Sequence, residues 1–430
     1  MDQRAEIPPG LPRTNPTVSY WQDPPDNIAH LRSTDALPPN VEYVIVGSGI
    51  TGACIAHKIL SRRPEAEILM LEARQACSGA TGRNGGHTKG GSYRSFLDNA
   101  DTLGLAEAVK IATLEYDCMK QVHEFARQNK IDCDSHPTDT VDVFFDQAQL
   151  DGAVKAVNFM REVIPPYLGI AKYTFYTQQE ARRRFLTPEA LGAVSYEAGS
   201  ISPYKFVTGI LKLSLAKGLN LQTNTAVTLI HQFHGEAINS PQWIVDTSRG
   251  KVLAEKVVLA TNGYTSHLYP ALQRFIVPLR GQVAAQRPGK GLPQTGLATT
   301  YSFIYEGGYD YMISRPPGSN CEGDIVIGGG LTKSQGLGLN EYGETDDTVL
   351  NEAISRYLEQ STSTFFGANW GVDHEQGRIR REWTGIMGYT PDGFPLVDEV
   401  PQEKNLYIAA AFQGHGRQQF SFPLVTVQDL

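Results

Sequence analysis

A glycine-rich turn and an acidic residue that follows it carry the clearest chemical signal in this 430-residue chain. The turn, residues 47–52, reads Gly-Ser-Gly-Ile-Thr-Gly. Gly47 suits a tight turn, Gly49 lets backbone approach a pyrophosphate closely, and Gly52 lets a helix pack against a strand. Glu72 follows about 20 residues later, where a carboxylate accepts hydrogen bonds from a ribose diol. This spacing indicates a dinucleotide site.

Two strands and a helix must hold these residues in register. The apolar run 41–46 leads into the turn, a helical stretch covers 53–60, and a second apolar run begins at Glu67 and ends at Glu72. The amide groups and the dipole at the start of such a helix attract phosphate. The sequence therefore predicts a strand–helix–strand unit of the Rossmann type.

A second glycine-rich block follows the acidic residue directly. Residues 78–87 read Ser-Gly-Ala-Thr-Gly-Arg-Asn-Gly-Gly-His. With this block the chain resembles the glycine oxidase, sarcosine oxidase and D-amino acid oxidase superfamily of FAD enzymes, and most of all its gamma-glutamylputrescine oxidase-like branch. The resemblance implies that the block wraps the FAD diphosphate and passes under the flavin ring. Small residues suit backbone that runs against a flat cofactor, and Ser78 and Thr81 can donate to phosphate oxygens.

Three later segments resemble further cofactor-binding elements of that superfamily. Residues 259–264 are similar to a buried strand that breaks at the flavin, and residues 385–395 to a Gly-x-x-x-x-Thr-Pro-Asp-Gly-x-Pro element. Residues 414–416 match a Gly-His-Gly end, whose amides meet the pyrimidine edge of the flavin in relatives. Val227, at the end of a strand predicted over 219–227, is the candidate for backbone pairing with adenine.

The turn, the block and the resemblance together give a set of candidate FAD-binding residues. They are Gly47, Gly49, Ile50, Thr51, Gly52, Glu72, Ala73, Arg74, Ser78, Thr81, Arg83, Asn84, Gly85, Gly86, His87, Val227, Ala260, Thr261, Asn262, Gly263, Gly385, Met387, Gly414, His415 and Gly416. For Arg83 two roles stay open, because its guanidinium can hold a carboxylate or tie the cofactor loop. No metal site is expected, since the cysteines and histidines lack ligand spacing.

Four residues are candidates for the catalytic side of the site. The resemblance puts His87 beside the isoalloxazine and His415 at its other edge, where a cation would favour the reduced cofactor. Either histidine can instead serve only to hydrogen-bond backbone. Tyr311 and Arg315 are the expected substrate contacts from a tyrosine-rich region.

Three departures from the relatives affect these expectations. Gly388 stands where sarcosine oxidase-type enzymes carry the cysteine that bonds the flavin, so FAD is expected to be non-covalent. Residues 325–327, the strand that carries an oxygen-activating lysine in those enzymes, hold no lysine. Beyond Gly416 the chain lacks the small-residue helix of the relatives, which leaves a flavin-binding protein with little turnover as one alternative.

Composition narrows the partners and the compartment. A net charge of −8 and a pI near 5.7 argue against nucleic acid or an anionic membrane as partner. Five cysteines without a paired spacing, and no signal peptide or long apolar run, favour the cytoplasm. The expected partners are therefore a small amine or amino acid and O2.

The order of these segments predicts an α/β fold in which two domains interleave. A Rossmann-like FAD-binding domain of the glutathione reductase type is expected over 39–100, 196–263 and 385–430. An antiparallel-sheet α+β substrate domain is expected over 101–195 and 264–384, and residues 1–38 read as an extended N-terminal arm. A chain of 430 residues is long enough for both domains.

The resemblance implies oxidation of a CH–NH bond of a small amine or amino acid to an imine, with O2 as acceptor and H2O2 as product. The missing strand lysine keeps a second possibility open, an FAD-dependent dehydrogenase or a tailoring enzyme of secondary metabolism on the same fold.

Overall fold

A computed structural model describes residues 2–233 and 242–414, and its strands form two sheets. The strands are β1 Asn40–Val46, β2 Ile68–Leu71, β3 His87–Lys89, β4 His136–Phe144, β5 Thr174–Tyr176, β6 Gly192–Ser200, β7 Asn220–Gln222, β8 Val227–Phe233, β9 Gln242–Thr247, β10 Gly250–Leu259, β11 Val277–Gln286, β12 Thr300–Tyr305, β13 Gly308–Ser314, β14 Ile325–Gly328, β15 Ile379–Tyr389, β16 Leu396–Glu399 and β17 Leu406–Ala410. The α-helices are α1 Asp2–Ala5, α2 Ile50–Arg62, α3 Tyr93–Leu103, α4 Leu105–Gln128, α5 Gln147–Val163, α6 Gln178–Arg184, α7 Pro203–Leu215, α8 Thr265–Leu268 and α9 Glu352–Phe366.

The first sheet is the predicted Rossmann-like sheet. Its strands run in the order β16-β17-β10-β1-β2-β7, and β8 and β9 extend it from β10. β1 pairs in parallel with β10 and with β2, so that Val46 lies beside both Leu259 and Leu71. Because parallel strands end at one edge, the turns after β1, β2 and β10 meet there, as a dinucleotide site requires.

The second sheet has the order β15-β11-β14-β13-β12-β4-β6-β3, with β5 beside β6. Its neighbours are antiparallel except β4 and β12, which pair in parallel. The expected antiparallel sheet is therefore confirmed with that one exception. Helix α9 packs on one face, where the rings of Phe303 and Phe365 stack at 4.0 Å, and the opposite face turns toward the carboxyl edge of the first sheet.

One apolar core joins the two sheets. Tyr43 and Ile45 from the first sheet belong to the same buried cluster as Ile313, Val326 and Trp383 from the second. Helices α2 and α7 complete this cluster beneath the first sheet. A continuous core fixes the two sheets relative to each other, and thereby fixes the gap between them.

Two observations on the bounds of strands concern the sequence expectations. The strand expected over 219–227 is divided into β7 and β8 at Asn224, which has φ of +49°, so Val227 begins a strand instead of ending one. The expected domain boundaries at 196 and 385 fall inside β6 and β15, and both strands pair only within the second sheet.

Among the described residues, no helix is both long and apolar enough to cross a membrane.

Candidate active site

A cavity of about 670 Å³ lies between the carboxyl edge of the first sheet and the open face of the second. Most predicted site residues line it: Gly47, Gly49, Ile50, Thr51, Glu72, Ala73, Arg74, Thr81, Arg83, Asn84, Gly85, His87, Val227, Ala260, Thr261, Asn262, Tyr311, Gly385, Met387 and Gly414. Ser78, Gly52, Gly86, Gly263 and Arg315 do not line it. His415 and Gly416 lie outside the described residues.

The glycine turn after β1 has the geometry that its sequence predicts. Gly47 adopts φ of +109°, a conformation that favours glycine. A methyl group on Gly52 would lie 2.0 Å from the carbonyl oxygen of Gly47. Gly52 is therefore needed for the close packing of the helix against the turn, and it does not line the cavity. Helix α2 begins at Ile50, and its N-cap Gly49 brings no capping side chain. The amide end of the helix therefore faces the cavity, where a phosphate would bind.

Glu72 is held at the cavity by hydrogen bonds to its carboxylate. The amide and the hydroxyl of Ser48 donate to Oε2 at 3.1 and 2.6 Å, and the Arg74 amide donates to Oε1 at 3.0 Å. These donors fix the carboxylate at the end of β2. Carboxylate oxygens have further lone pairs, so a ribose diol can still bind.

Arg83 ties the cofactor loop to distant parts of the chain. Its guanidinium donates to the carbonyl oxygens of Ser78 at 3.0 Å, Thr384 at 2.7 Å and Thr17 at 2.5 Å. Burial lowers the pKa of Arg83 to about 10, although Asp347 opposes this shift. Of the two roles left open by the sequence, these contacts favour the loop-tying role.

The N-terminal arm forms part of the cavity, which sequence reasoning missed. Residues 10–12 line the cavity, and the arm is attached through Ser19 Oγ to the Gly82 carbonyl at 2.7 Å. Trp21 Nε1 donates to the Asn84 carbonyl at 2.6 Å. The arm thus packs on the loop that is expected to carry the cofactor.

The donors and the space at this end of the cavity fit FAD. Tyr264 lines the cavity, and its buried Oη atom has no hydrogen-bond partner among the described residues. Buried hydroxyls are normally paired, so this one is suited to donate to an acceptor atom of a bound group. The start of α2, where the Ile50 amide donates to Thr81 Oγ1 at 3.0 Å, and the Glu72 carboxylate would hold the phosphate and the ribose.

The turn after β10 packs against β15 and leaves no room for a side chain there. A methyl group on Gly263 would lie 2.4 Å from the Met387 carbonyl oxygen, and one on Gly388 would lie 2.9 Å from Asn262 Oδ1. All five cysteines lie in the described part of the chain, and none lines the cavity. The position that bonds flavin in some relatives is thus filled by backbone packing.

The face of the second sheet carries two of the predicted catalytic residues. His87 Nε2 lies 2.8 Å from Thr300 Oγ1. The ring of Tyr311 packs on backbone, since a methyl group on Gly85 would lie 2.2 Å from its Cε2 atom. Tyr309 is 45% exposed on the same strand and also lines the cavity.

Arg315, which the sequence offered as a substrate contact, does not line the cavity. Its Nη2 atom donates to Asp134 Oδ2 at 2.9 Å, and its guanidinium lies 5.1 Å from the Trp21 ring centroid. The side chain is only 4% exposed. The ion pair with Asp134 holds the Arg315 side chain outside the lining of the cavity. The two residues lie far apart in the sequence, so no local pattern predicts this pair.

Lys89 and Arg94 line the cavity, and sequence reasoning missed both. Both contact the buried carboxylate of Asp142, at 3.4 Å from Lys89 Nζ and 2.7 Å from Arg94 Nη2. A signal for Lys89 was present, because alternate residues of a strand share a face and His87 and Lys89 are two apart in β3. Arg94 lies on α3, and nothing in its local sequence marks it.

Comparisons with known proteins agree with this geometry. Gamma-glutamylputrescine oxidoreductase of Escherichia coli (strain K12) is 23% identical over 380 residues, which cover 87% of this chain and 80% of that protein. The probable oxidoreductase OrdL of Rhizobium meliloti (strain 1021) is 24% identical over 266 residues, 59% of this chain and 56% of OrdL, so the chain spans little more than half of that relative.

A solved structure and a family model extend the comparison. The glycine oxidase of Geobacillus kaustophilus superposes with a TM-score of 0.69 at 19% identity, covering 91% of this chain and 95% of that one, which shows a shared fold. The DAO family model, described as FAD dependent oxidoreductase, matches residues 42–420. The chain therefore belongs to the DAO family of FAD-dependent oxidoreductases, and FAD is its cofactor.

Proposed function

We propose that this protein oxidises a CH–NH bond of a small amine or amino acid to an imine, while O2 accepts two electrons and two protons to give H2O2. The observation that carries the proposal is one cavity that joins the cofactor loops to a sheet face bearing His87, Tyr309 and Tyr311. Relatives with the names gamma-glutamylputrescine oxidoreductase and glycine oxidase support an amine or amino acid as donor.

FAD supplies the redox chemistry when bound, and the protein orients the substrate and sets the electrostatic environment of the reaction. Backbone at Gly85 runs directly under the Tyr311 ring, so that ring and the cofactor loop together form one wall of the cavity. The exposed Tyr309 ring offers a π-face to an amine with a cationic or apolar part. His87 is held by Thr300 at 2.8 Å and can exchange a proton with the substrate nitrogen.

Non-covalent attachment of FAD is part of the proposal. It is supported by the close packing at Gly388, where a methyl group would lie 2.9 Å from Asn262 Oδ1, and by the absence of cysteine from the lining of the cavity among the described residues. His415 and Gly416 stay predictions from the sequence. The cytoplasm also stays a prediction, supported by cysteines that are all unpaired.

A second candidate is an FAD-dependent dehydrogenase, and one observation favours it. Residues 325–327 of β14 are fully buried aliphatic side chains, so no lysine reaches the cavity from this strand. If oxygen access or activation is poor, another acceptor must reoxidise the cofactor.

The test starts from purified protein loaded with FAD. An amine and amino-acid panel is screened for H2O2 in air, and the same panel is screened for bleaching of the absorbance near ~450 nm without oxygen. Peroxide with a subset of amines is the expected result. Bleaching without peroxide would favour the dehydrogenase, and no bleaching with any amine would refute the proposal in favour of a flavin-binding protein without turnover.

A further inference from the structure

A short stretch of the N-terminal arm crosses the cofactor end of the cavity. We call this stretch, residues 9–13 with the sequence Pro-Gly-Leu-Pro-Arg, the strap. Gly10, Leu11 and Pro12 of the strap line the cavity. Leu11 is also 37% exposed, so the strap has the cavity on one side and solvent on the other.

The two ends of the strap are fixed on opposite sides of the glycine turn. At one end, Nδ1 of His267 on α8, the helix that follows β10, lies 3.0 Å from the Pro9 carbonyl oxygen, which can only accept a hydrogen bond. At the other end Arg74, which follows β2, donates from Nη1 to the Arg13 carbonyl oxygen at 3.1 Å. In the first sheet β1 lies between β10 and β2. The strap therefore passes across the carboxyl end of β1, where the glycine turn is expected to hold phosphate.

A second anchor holds the arm at Thr17, four residues beyond the strap. The amide and the hydroxyl of Thr17 donate to the Asp347 carbonyl oxygen at 2.7 and 3.0 Å. The Thr17 hydroxyl accepts from the Thr384 amide at 3.0 Å, and the Thr17 carbonyl oxygen accepts from Arg83 at 2.5 Å. Thr17 does not line the cavity, so it holds the arm without touching what the cavity contains.

The carboxylate of Asp347 links both anchors to the cofactor loops. It is only 1% exposed, accepts from Arg74 Nη1 at 2.9 Å and lies 3.9 Å from Arg83 Nε. Arg74 and Arg83 also line the cavity and donate to the arm. A buried ion pair keeps its geometry only while its partners stay in place. Detachment of the strap would therefore break hydrogen bonds made by residues that border the cofactor.

We propose that the strap covers FAD bound at this end of the cavity, and that FAD enters and leaves only when the strap detaches. Gly10, Leu11 and Pro12 carry no charge, so the strap closes over the cofactor by contact and by exclusion of water. Thr17 is a positioning residue, because it acts on FAD only through the strap. The inference requires FAD in the cavity and does not depend on which bond the enzyme oxidises.

Coupling between the strap and FAD must act in both directions. If the attached strap contacts FAD, bound FAD stabilises the attached strap by the same free energy. Weaker attachment should therefore accelerate the release of FAD, and bound FAD should slow the detachment of the strap. The two effects are measured separately.

The first measurement is the rate at which FAD leaves the loaded protein, followed by the fluorescence of free FAD after dilution. Thr17→Ala removes the hydroxyl that contacts Asp347 and Thr384. This variant should release FAD about tenfold faster than the unmodified protein, the effect of losing one or two ordinary hydrogen bonds. The absorption spectrum of the bound cofactor should stay unchanged, because Thr17 does not border it.

Thr34→Ala is the matched control, because Thr34 also lies on the arm and its hydroxyl is also hydrogen-bonded. That hydroxyl donates to the Ala36 carbonyl oxygen at 2.7 Å and accepts from Gln222 Nε2 at 2.9 Å. Thr34 lies outside the strap and does not line the cavity. This variant should release FAD at the rate of the unmodified protein.

The second measurement uses the unmodified protein and needs no variant. Arg13 is exposed, and its carbonyl oxygen is held by Arg74, so trypsin should cleave after Arg13 only when the strap detaches. Cleavage after Arg13, followed by mass spectrometry, should be about tenfold slower with FAD bound than after removal of FAD. Cleavage after Arg32, which is exposed on the arm beyond the strap, should not depend on FAD and is the control.

Three results would overturn the inference. They are an unchanged rate of FAD release in Thr17→Ala, equally accelerated release in Thr17→Ala and Thr34→Ala, and cleavage after Arg13 that is independent of FAD. The cleavage experiment decides the matter even if Thr17→Ala does not fold. Failure of every amine to bleach the cofactor would instead reject the proposed function and leave the strap unaffected.

Discussion

Replacing Asp142 with asparagine should destabilise the protein more than other aspartate substitutions on the same strand. All neighbours of this carboxylate are donors: the hydroxyls of Tyr93 and Tyr196, the guanidinium of Arg94 and the ammonium of Lys89. An amide at this position would turn an NH₂ group toward donors and leave two cations without an anion. Although burial opposes it, Arg94 and Lys89 hold the pKa of Asp142 well below its usual range, so the carboxylate is charged at neutral pH.

The expected size of the loss follows from the burial of the pair. Breaking a buried ion pair from one side typically costs about 3–5 kcal/mol. With an unfolding entropy of about 2.1 cal/mol/K per residue, this corresponds to a decrease in Tm of about 3–6 °C for a chain of 430 residues. The loss of stability should be larger at pH 6 than at pH 8. Burial lowers the pKa of Lys89 to about 7, so at pH 6 the side chain is mostly protonated and its charge lacks a carboxylate partner in the variant.

The measurement is scanning calorimetry of the FAD-loaded Asp142→Asn protein. Asp139→Asn is the matched control, since Asp139 is exposed on the same strand β4 and should change stability by less than about 0.5 kcal/mol. The sign with pH is fixed by the depressed pKa of Asp142: its contribution is present above about pH 4, the unfolded value, and is lost as pH falls below it. A Tm for Asp142→Asn equal to that of the control would refute the reasoning.

Three further predictions concern the cofactor and the N-terminal arm. Gly52→Ala should lower the FAD content of the purified protein, because the new methyl group would lie 2.0 Å from the Gly47 carbonyl oxygen. The control Gly152→Ala should retain FAD, because there is open space around Gly152. Equal flavin absorbance in the two variants would contradict this prediction. Acid precipitation of the unmodified protein should release all FAD to the supernatant. Gly388→Cys should lower Tm without creating a covalent link to FAD, because a methyl group at this position would lie 2.9 Å from Asn262 Oδ1. A yellow pellet after acid precipitation of either protein would show a covalent link and contradict the prediction. Arg83→Met removes three hydrogen bonds to carbonyl oxygens, one of which belongs to Thr17 in the N-terminal arm. Limited proteolysis should therefore cleave the arm faster in this variant than in the unmodified protein. An unchanged cleavage rate would mean that other contacts hold the arm.

The cofactor side of the site could be predicted because its signals are local. The roles of Gly47, Gly52 and Glu72 follow from one strand–helix–strand unit, in which a turn, a close packing contact and a strand end lie within a short stretch of chain. Backbone that must approach phosphate or helix closely requires glycine at fixed positions, so the residue types themselves carry the information. The loop 78–87 could be identified for the same reason.

The substrate side could not be predicted because its residues meet only through tertiary packing. Arg315 was expected in the cavity, yet an ion pair with Asp134, far away in sequence, holds it elsewhere. Lys89 obtains its environment from Asp142 and Ser302, on strands that pair in parallel only in the folded sheet. Charge and pKa in such a cluster depend on which distant groups share a buried volume, and no local pattern records that. The sequence by itself determined which loops meet at the edge of the first sheet, where FAD is expected to bind, and the tertiary structure decided which cations line the cavity.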